Sequence, residues 1–182
     1  MTGRTLEQNK SSLPIATIVV LAITALVTAM QFVFPPLLPA LRRQPTAIAG
    51  HEYWRLITAL FVHADGWKQI AFNFPAIAVV GVLVERIFGS SRWLILYFVS
   101  GIATEFIALR WEPYGGGASI AGAGLLGALA IWLLLKNKRP QDWGGALFIL
   151  IGAVVLTYLR NIHGPPIFMG AGMAVVMLKR MK

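Results

Sequence analysis

The stretch YGGGASIAGAGLLGALAIW, from Tyr114 to Trp132, decides the fold of this chain. After Ser119 it contains only glycine, alanine and large apolar residues, and this run continues to Leu135 before the basic residues of KNKRP end it. Its length approaches the ~20 residues that cross a bilayer as an α-helix. The run therefore predicts a membrane-spanning helix that begins with a serine behind three glycines.

The composition of the whole chain agrees with a membrane location. Of the 182 residues, 57% are hydrophobic and 13% are charged, whereas soluble domains carry about 25% charged residues. The net charge is +9, but the basic residues fall mostly between apolar runs, which suits lipid headgroups better than nucleic acid. There is no cysteine, which excludes a zinc or cluster held by cysteines, and the three histidines lie far apart, so no spacing supports a metal site.

Six apolar runs predict an all-α membrane protein with six transmembrane helices in residues 14–182, after a polar cytoplasmic tail in residues 1–13. The runs are Ile15–Phe34, Lys68–Ile87, Trp93–Ala108, Ser119–Leu135, Gly144–Leu159 and Pro165–Leu178. The mixed segment between the first two runs contains Tyr53 and Trp54, which favour the membrane interface. We therefore expect a membrane-associated first loop.

The distribution of basic residues predicts the orientation. Six spans place both termini on one side, and this side receives ten of the 16 Lys and Arg residues, against six on the other. The positive-inside rule then makes both termini cytoplasmic. We expect a multi-pass protein of the bacterial inner membrane, with Ser119 and His163 near the outer face.

Polar groups inside apolar runs indicate function because their burial is unfavourable without a partner. The candidates are Gln69, Asn73, Glu85, Glu105, Ser119 and His163. Small residues follow Ser119 at intervals of four, as far as Gly127, and Gly170 and Ala174 repeat this spacing after His163. Two helices packed through such faces would bring the serine and the histidine together. The histidine could then take the proton of the serine hydroxyl.

Four of these candidates, and Arg55 of the first loop, also have a purely structural interpretation. Ser119 could cap a helix, and His163 could be an interfacial residue beside two prolines. Glu85 is best explained as a hydrogen-bonding group between helices. Glu105 could be a protonated structural acid or a lipid-side group, and Arg55 could contact headgroups or Glu52.

Several motifs together resemble the rhomboid intramembrane proteases. GASIAGAGLLGALA is similar to the active-serine segment of that family, EYWRLITALFVH to its first-loop Trp-Arg segment, and SRWLILYFVSG to the opening of its third span. GVLVERIFGS has the spacing of a family motif, and HGPPIFMG places a glycine seven residues after the histidine. The resemblance implies a six-helix bundle in which Ser119 is the nucleophile and His163 the general base. It also implies that the partners are transmembrane protein substrates and the lipid bilayer, and that there is no cofactor.

The resemblance also implies an oxyanion site, although the chain departs from the family pattern there. Gln69 stands where the family often has histidine, four residues before Asn73. We expect Asn73, Gln69 and the backbone near Gly117 to bind the oxyanion, with His63 as the alternative to Gln69. Another departure is Ile120, which replaces a glycine after the serine.

Two alternatives to a protease follow from these departures. A non-catalytic rhomboid-like protein could bind membrane clients. A register that places Ala123 on the serine position would make the chain such a protein, but it breaks the match to GLLGA, so we reject it. A small scaffold or transporter subunit would instead leave Ser119 and His163 far apart. The sequence predicts no oligomeric state.

Overall fold

The computed structural model describes residues 13–136 and 140–181. Within these residues the chain forms helices α1 (Ile15–Val33), α2 (Leu37–Leu41), α3 (Pro45–Ala49), α4 (Arg55–Thr58), α5 (Trp67–Phe88), α6 (Ser90–Trp111), α7 (Ser119–Leu135), α8 (Pro140–Tyr158) and α9 (Gly164–Arg180). A 3₁₀ turn, Ala59–Phe61, follows α4. Apart from Leu13, the predicted tail lies outside the described residues.

The predicted all-α membrane bundle is confirmed, and its six long helices are α1 and α5 to α9. Helices α1, α5, α6 and α8 are long and apolar enough to cross a membrane, whereas α7 is a shorter apolar helix. Helix α6 is longer than the predicted Trp93–Ala108 at both ends. A single residue, Gly89, separates α6 from α5, and its positive φ of 81° permits an abrupt turn between the two helices.

Helix α7 is the centre of the bundle and packs against α5, α6, α8 and α9. Its small and apolar residues are buried on several sides, including Ala121, Leu125 and Ala128, which are fully buried. A helix that is apolar all round is expected in such a position. Ser119 therefore begins the most enclosed helix of the protein.

Glycines bring α7 and α9 into close contact. A β-carbon on Gly170 would overlap the backbone of Gly124, and one on Gly127 would overlap the backbone of Ile167. The two helices thus touch through their main chains, as small residues permit in membrane proteins. This crossing fixes the start of α9 relative to the start of α7.

We expect Gly170→Ala to destabilise the protein, because the added methyl group has no room beside Gly124. Overpacking of this kind costs about 1–3 kcal/mol. Gly172→Ala is the matched control on the same helix, since a β-carbon there meets open space and alanine is the better helix former. Thermal unfolding in detergent measures both variants. Equal melting temperatures for the two variants would contradict the close crossing.

Glu85 ties α5 to the start of α1. Its carboxylate accepts hydrogen bonds from the backbone N–H groups of Ala16 and Thr17, from the Thr17 hydroxyl and from the Ser90 hydroxyl, all at 2.7 Å. The first N–H groups of a helix have no partner within it, and they favour a negative charge. The prediction that Glu85 bonds between helices is confirmed.

The first loop is held by its own ion pair. Arg55 contacts Glu52 at 2.6 Å, and it also donates to the backbone oxygens of Pro39 and Arg42. Tyr53 and Trp54 are exposed beside it, as expected for aromatic side chains at a membrane interface. Of the two alternatives predicted for Arg55, the structure therefore shows pairing with Glu52.

Candidate active site

The structure brings Ser119 and His163 together at one end of the bundle. Ser119 is the first residue of α7, and His163 immediately precedes α9. The Ser119 Oγ and the His163 Nε2 are 3.0 Å apart, which is a hydrogen-bonding distance. The scaffold hypothesis, which required the two residues to lie far apart, does not agree with this geometry.

Asn161 forms the other contact of His163. The Asn161 Oδ1 lies 2.8 Å from the His163 Nδ1 and 2.9 Å from the His163 backbone nitrogen. Burial lowers the pKa of His163, although the negative charges of Glu112 and Asp65 oppose this shift. Sequence reasoning missed Asn161. The available signal was an asparagine two residues before the histidine, a spacing at which asparagine often closes an Asx turn.

A cleft of about 690 Å³ opens beside the serine and the histidine. It lies between α5 and the helices α7 to α9, and apolar residues such as Phe72, Leu126 and Leu156 line much of it. Asn73 also lines it, and this side chain is only 2% exposed. The Asn73 Nδ2 has no hydrogen-bond partner among the described residues. A buried amide donor without a partner is unusual, so this atom is suited to bind an oxygen atom of a ligand in the cleft.

Gln69 lines the same cleft, but its amide is already engaged. Its Nε2 donates to the backbone oxygen of Gly116 at 3.1 Å, and its Oε1 accepts from the backbone nitrogen of Asp65 at 3.2 Å. Gly117 packs so closely on this amide that a β-carbon there would overlap it. Gln69 and the glycine segment therefore support each other beside Ser119.

His63 lies apart from this group and borders neither cavity beside Ser119. Its Nδ1 is 2.9 Å from the Thr28 hydroxyl, and its backbone groups pair with the amide of Gln31. Burial lowers the pKa of His63 to about 4, so its ring is neutral near pH 7. Its contacts connect the first loop to α1 rather than to the serine.

Arg43 holds the glycine segment in place from the first loop. Its backbone pairs with Gly115, and its guanidinium donates to the backbone oxygen of Glu112 at 2.7 and 3.0 Å. The same guanidinium pairs with Glu105 of α6, and both side chains are almost completely buried. Of the two alternatives predicted for Glu105, the lipid-side position is wrong, because this side chain is fully buried. Its role is structural, and its partner is a cation of the first loop.

A second, smaller cavity of about 70 Å³ lies behind the serine. Its walls include Arg43, Glu105, Gly116, Ser119 and His163. It is polar and large enough for water, which occupies about 30 Å³ per molecule in the liquid. Among the described residues, no group of three or more His, Asp or Glu side chains is placed to hold a metal ion.

Comparisons with known proteins match this chain to one family. The family model described as Rhomboid domain matches residues 50–171. Rhomboid protease GluP of Bacillus subtilis is 39% identical over 98 residues, which are 53% of this chain and 19% of that protein. Rhomboid-like protease 3 of Toxoplasma gondii is 28% identical over 120 residues, which are 62% of this chain and 44% of that protein.

The similar proteins are not all named as proteases. The Inactive RHOMBOID-like protein 8 of Arabidopsis thaliana is 28% identical over 112 residues, which are 62% of this chain and 25% of that protein. The chain spans less than half the length of each of these three relatives. The similarity therefore covers only part of these relatives.

Proposed function

Because this chain belongs to the rhomboid family, we propose that it is a serine endopeptidase that hydrolyses peptide bonds in or near the transmembrane segments of membrane proteins. The observation that carries the proposal is the distance of 3.0 Å between the Ser119 Oγ and the His163 Nε2. Both residues line a cleft between membrane helices. A serine with a histidine in this position is an activated nucleophile.

The proposed reaction proceeds through an acyl-enzyme. The Ser119 Oγ attacks the scissile carbonyl carbon while the His163 Nε2 accepts the hydroxyl proton. When the tetrahedral intermediate collapses, the C–N bond breaks and His163 gives this proton to the leaving amine. Water then attacks the acyl-enzyme, with His163 again taking and returning a proton, and the carboxylate product leaves Ser119 free.

The oxyanion formed in this reaction needs hydrogen-bond donors. The Asn73 Nδ2 is buried without a partner among the described residues, and the backbone N–H of Ser119 begins a helix, where it has no intrahelical acceptor. Gln69 keeps one amide hydrogen beyond the one that it gives to Gly116. We assign the main role to Asn73 and a supporting role to Gln69 and to the glycine segment ending at Gly117. The contacts of His63 with α1 leave it outside this assignment.

We expect Asn73→Ala to lower kcat by about 10²–10³, the usual effect of removing one oxyanion donor. Gln69→Ala should have a smaller effect, because its amide already bonds Gly116. Val79→Ala is the control on the same helix, since Val79 is 62% exposed and lies outside the cleft. Steady-state cleavage measures all three variants. An Asn73→Ala variant with the parent kcat would exclude the assigned role.

The proposed substrates are transmembrane proteins whose cleavage sites contain small, helix-destabilising residues. A peptide bond inside a regular helix is shielded by its own hydrogen bonds, so a segment must unwind before Ser119 can reach its carbonyl. The apolar lining of the cleft suits such a segment. We further propose that the chain lies in a bacterial inner membrane with both termini cytoplasmic, which places the serine near the outer face.

A client-binding protein without catalysis is the second candidate. It is favoured by Ile120, which replaces the glycine usual after the serine, and by the similarity to a relative named inactive. Incubation of the purified protein with several labelled transmembrane substrates, in vesicles and in detergent, separates the two candidates. Cleavage that Ser119→Ala abolishes supports the protease. Binding of the substrates without any cleavage would favour the client-binding protein.

A further inference from the structure

One oxygen atom of Asn161 contacts His163 twice. The Asn161 Oδ1 lies 2.9 Å from the backbone nitrogen of His163 and 2.8 Å from its ring Nδ1. On the other side of the ring, the Nε2 faces the Ser119 Oγ at 3.0 Å. Both ring nitrogens of His163 therefore have a side-chain partner, and the two partners come from different segments of the chain.

The backbone contact determines how the protons are arranged. The backbone N–H of His163 can only donate, so the Asn161 atom that faces it must be the amide oxygen rather than the amide nitrogen. The same oxygen faces the Nδ1, and an amide oxygen can only accept. In the neutral ring the proton must then reside on Nδ1, which leaves the lone pair of Nε2 directed at the Ser119 hydroxyl.

The turn before α9 holds Asn161 in this position. Its backbone N–H donates to the Leu156 oxygen at 2.8 Å, and its own backbone oxygen accepts from Gly164 at 3.2 Å. The preceding Arg160 has a positive φ of 56°, which is uncommon for a residue with a side chain. The backbone therefore ties Asn161 both to the end of α8 and to the start of α9.

We propose that Asn161 is a positioning residue of the active site, whose side-chain oxygen selects the Nδ1–H form of His163 and orients its Nε2 toward Ser119. The proposal rests on the proposed function, since it concerns the general base of that reaction. Asn161 does not exchange a proton itself. It has the place that a carboxylate has in a serine–histidine–aspartate triad, but it carries no charge.

Because the Asn161 side chain is uncharged, it affects how the activity depends on pH. A carboxylate at this position would stabilise the imidazolium and raise the pKa of His163. The amide of Asn161 has no charge and does not raise it, so burial still lowers the pKa of His163. Asp65 and Glu112 act on His163 as negative charges. The other charged side chains that border the two cavities are Arg43, Lys68 and Glu105. Because His163 must be neutral to act as a base, activity should rise with pH through a pKa below the ordinary value of about 6.5.

The alternative is that Asn161 only closes the backbone turn. Serine can also close such a turn through its hydroxyl, but its side chain is shorter. Asn161→Ser therefore keeps the backbone contact and removes the contact with Nδ1, whereas Asn161→Ala removes both. Asn161→Asp keeps both accepted hydrogen bonds and adds a charge. The three variants separate the turn from the positioning of the ring.

The first experiment measures the rate at which a fluorophosphonate labels the purified protein from pH 4 to pH 9, together with its melting temperature. We expect Asn161→Ser and Asn161→Ala to lower the labelling rate by about ten-fold or more, because each loses one hydrogen bond to the ring of the general base. Asn161→Asp should move the acidic limb of the profile up by about one pH unit or more. The proposal would be overturned if Asn161→Ser were labelled as fast as the parent protein and the acidic limb of the pH profile were unchanged in Asn161→Asp.

The second experiment does not depend on catalysis. In the Ser119→Ala background, ¹⁵N NMR of labelled histidine reports which nitrogen of each neutral ring carries the proton, and His163→Ala assigns its signal among the three histidines. We expect the proton of His163 on Nδ1, and loss of this preference in Asn161→Ala. A proton on Nε2 would overturn the positioning role even if the protein is a protease. If the proton is on Nδ1 but the protein with Ser119 cleaves no substrate, the contact of Asn161 with His163 stands and the proposed function is refuted.

Discussion

Replacement of Ser119 by alanine is expected to lower kcat/KM on a transmembrane substrate by about 10⁴-fold or more, the range seen when the nucleophile of a serine protease is removed. Alanine keeps the helix start but supplies no oxygen to attack the carbonyl. His163→Ala should cause a loss of similar size, because the serine hydroxyl then has no base within 3.0 Å. Steady-state cleavage in vesicles measures both variants.

The double variant distinguishes a shared function from two independent effects. If Ser119 and His163 act as a unit, Ser119→Ala with His163→Ala should be hardly slower than either single variant. Ser91→Ala and His51→Ala are matched controls, since both residues are exposed and lie outside the candidate active site. Cleavage that survives in Ser119→Ala would exclude this serine as the nucleophile.

Replacement of Glu105 by leucine is expected to destabilise the protein by about 3–5 kcal/mol, because it leaves the charge of Arg43 buried without its partner. The two side chains are 0% and 1% exposed. The loss should also impair catalysis, since Arg43 fixes Gly115 and the backbone of Glu112 near the serine. Equilibrium unfolding in mixed detergent micelles gives the free energy of unfolding.

The double variant Arg43→Met with Glu105→Leu tests the origin of this effect. An apolar pair can replace a buried ion pair at little cost, so the double variant should regain much of the stability that Glu105→Leu loses. Glu112→Gln is the acidic control, because its side chain is exposed and only its backbone contacts Arg43. A double variant that is less stable than Glu105→Leu alone would contradict the account of the ion pair.

The sequence was sufficient for features that follow from local patterns. The apolar runs predicted the long helices to within a few residues. The small residues after Ser119 and His163 predicted a close contact between two helices, which the structure shows at Gly127 of α7 and at Gly170 of α9. Glu85 was predicted to bond between helices, because a carboxylate inside an apolar run needs a partner. Such patterns are periodic, so one sequence reveals them.

Contacts between distant segments could not be predicted in this way. Arg43 is one of several basic residues in the first loop, and nothing in its neighbourhood in the sequence indicates a partner that lies 62 residues away in α6. Asn161 was overlooked because an asparagine in a short loop is ordinary, and its role depends on the direction of one side-chain oxygen. His63 looked like a candidate from its place just before α5, but its ring meets Thr28 of α1. In each case the fold rather than the local sequence selects the partner.

Covalent labelling tests most directly whether Ser119 is a nucleophile that His163 activates. The purified protein is treated with a fluorophosphonate, and mass spectrometry of its peptides locates the modified residue. We predict one modification, at Ser119, which is absent in His163→Ala on the same time scale. A folded protein that remains unlabelled, or one that is labelled equally fast without His163, would contradict the account.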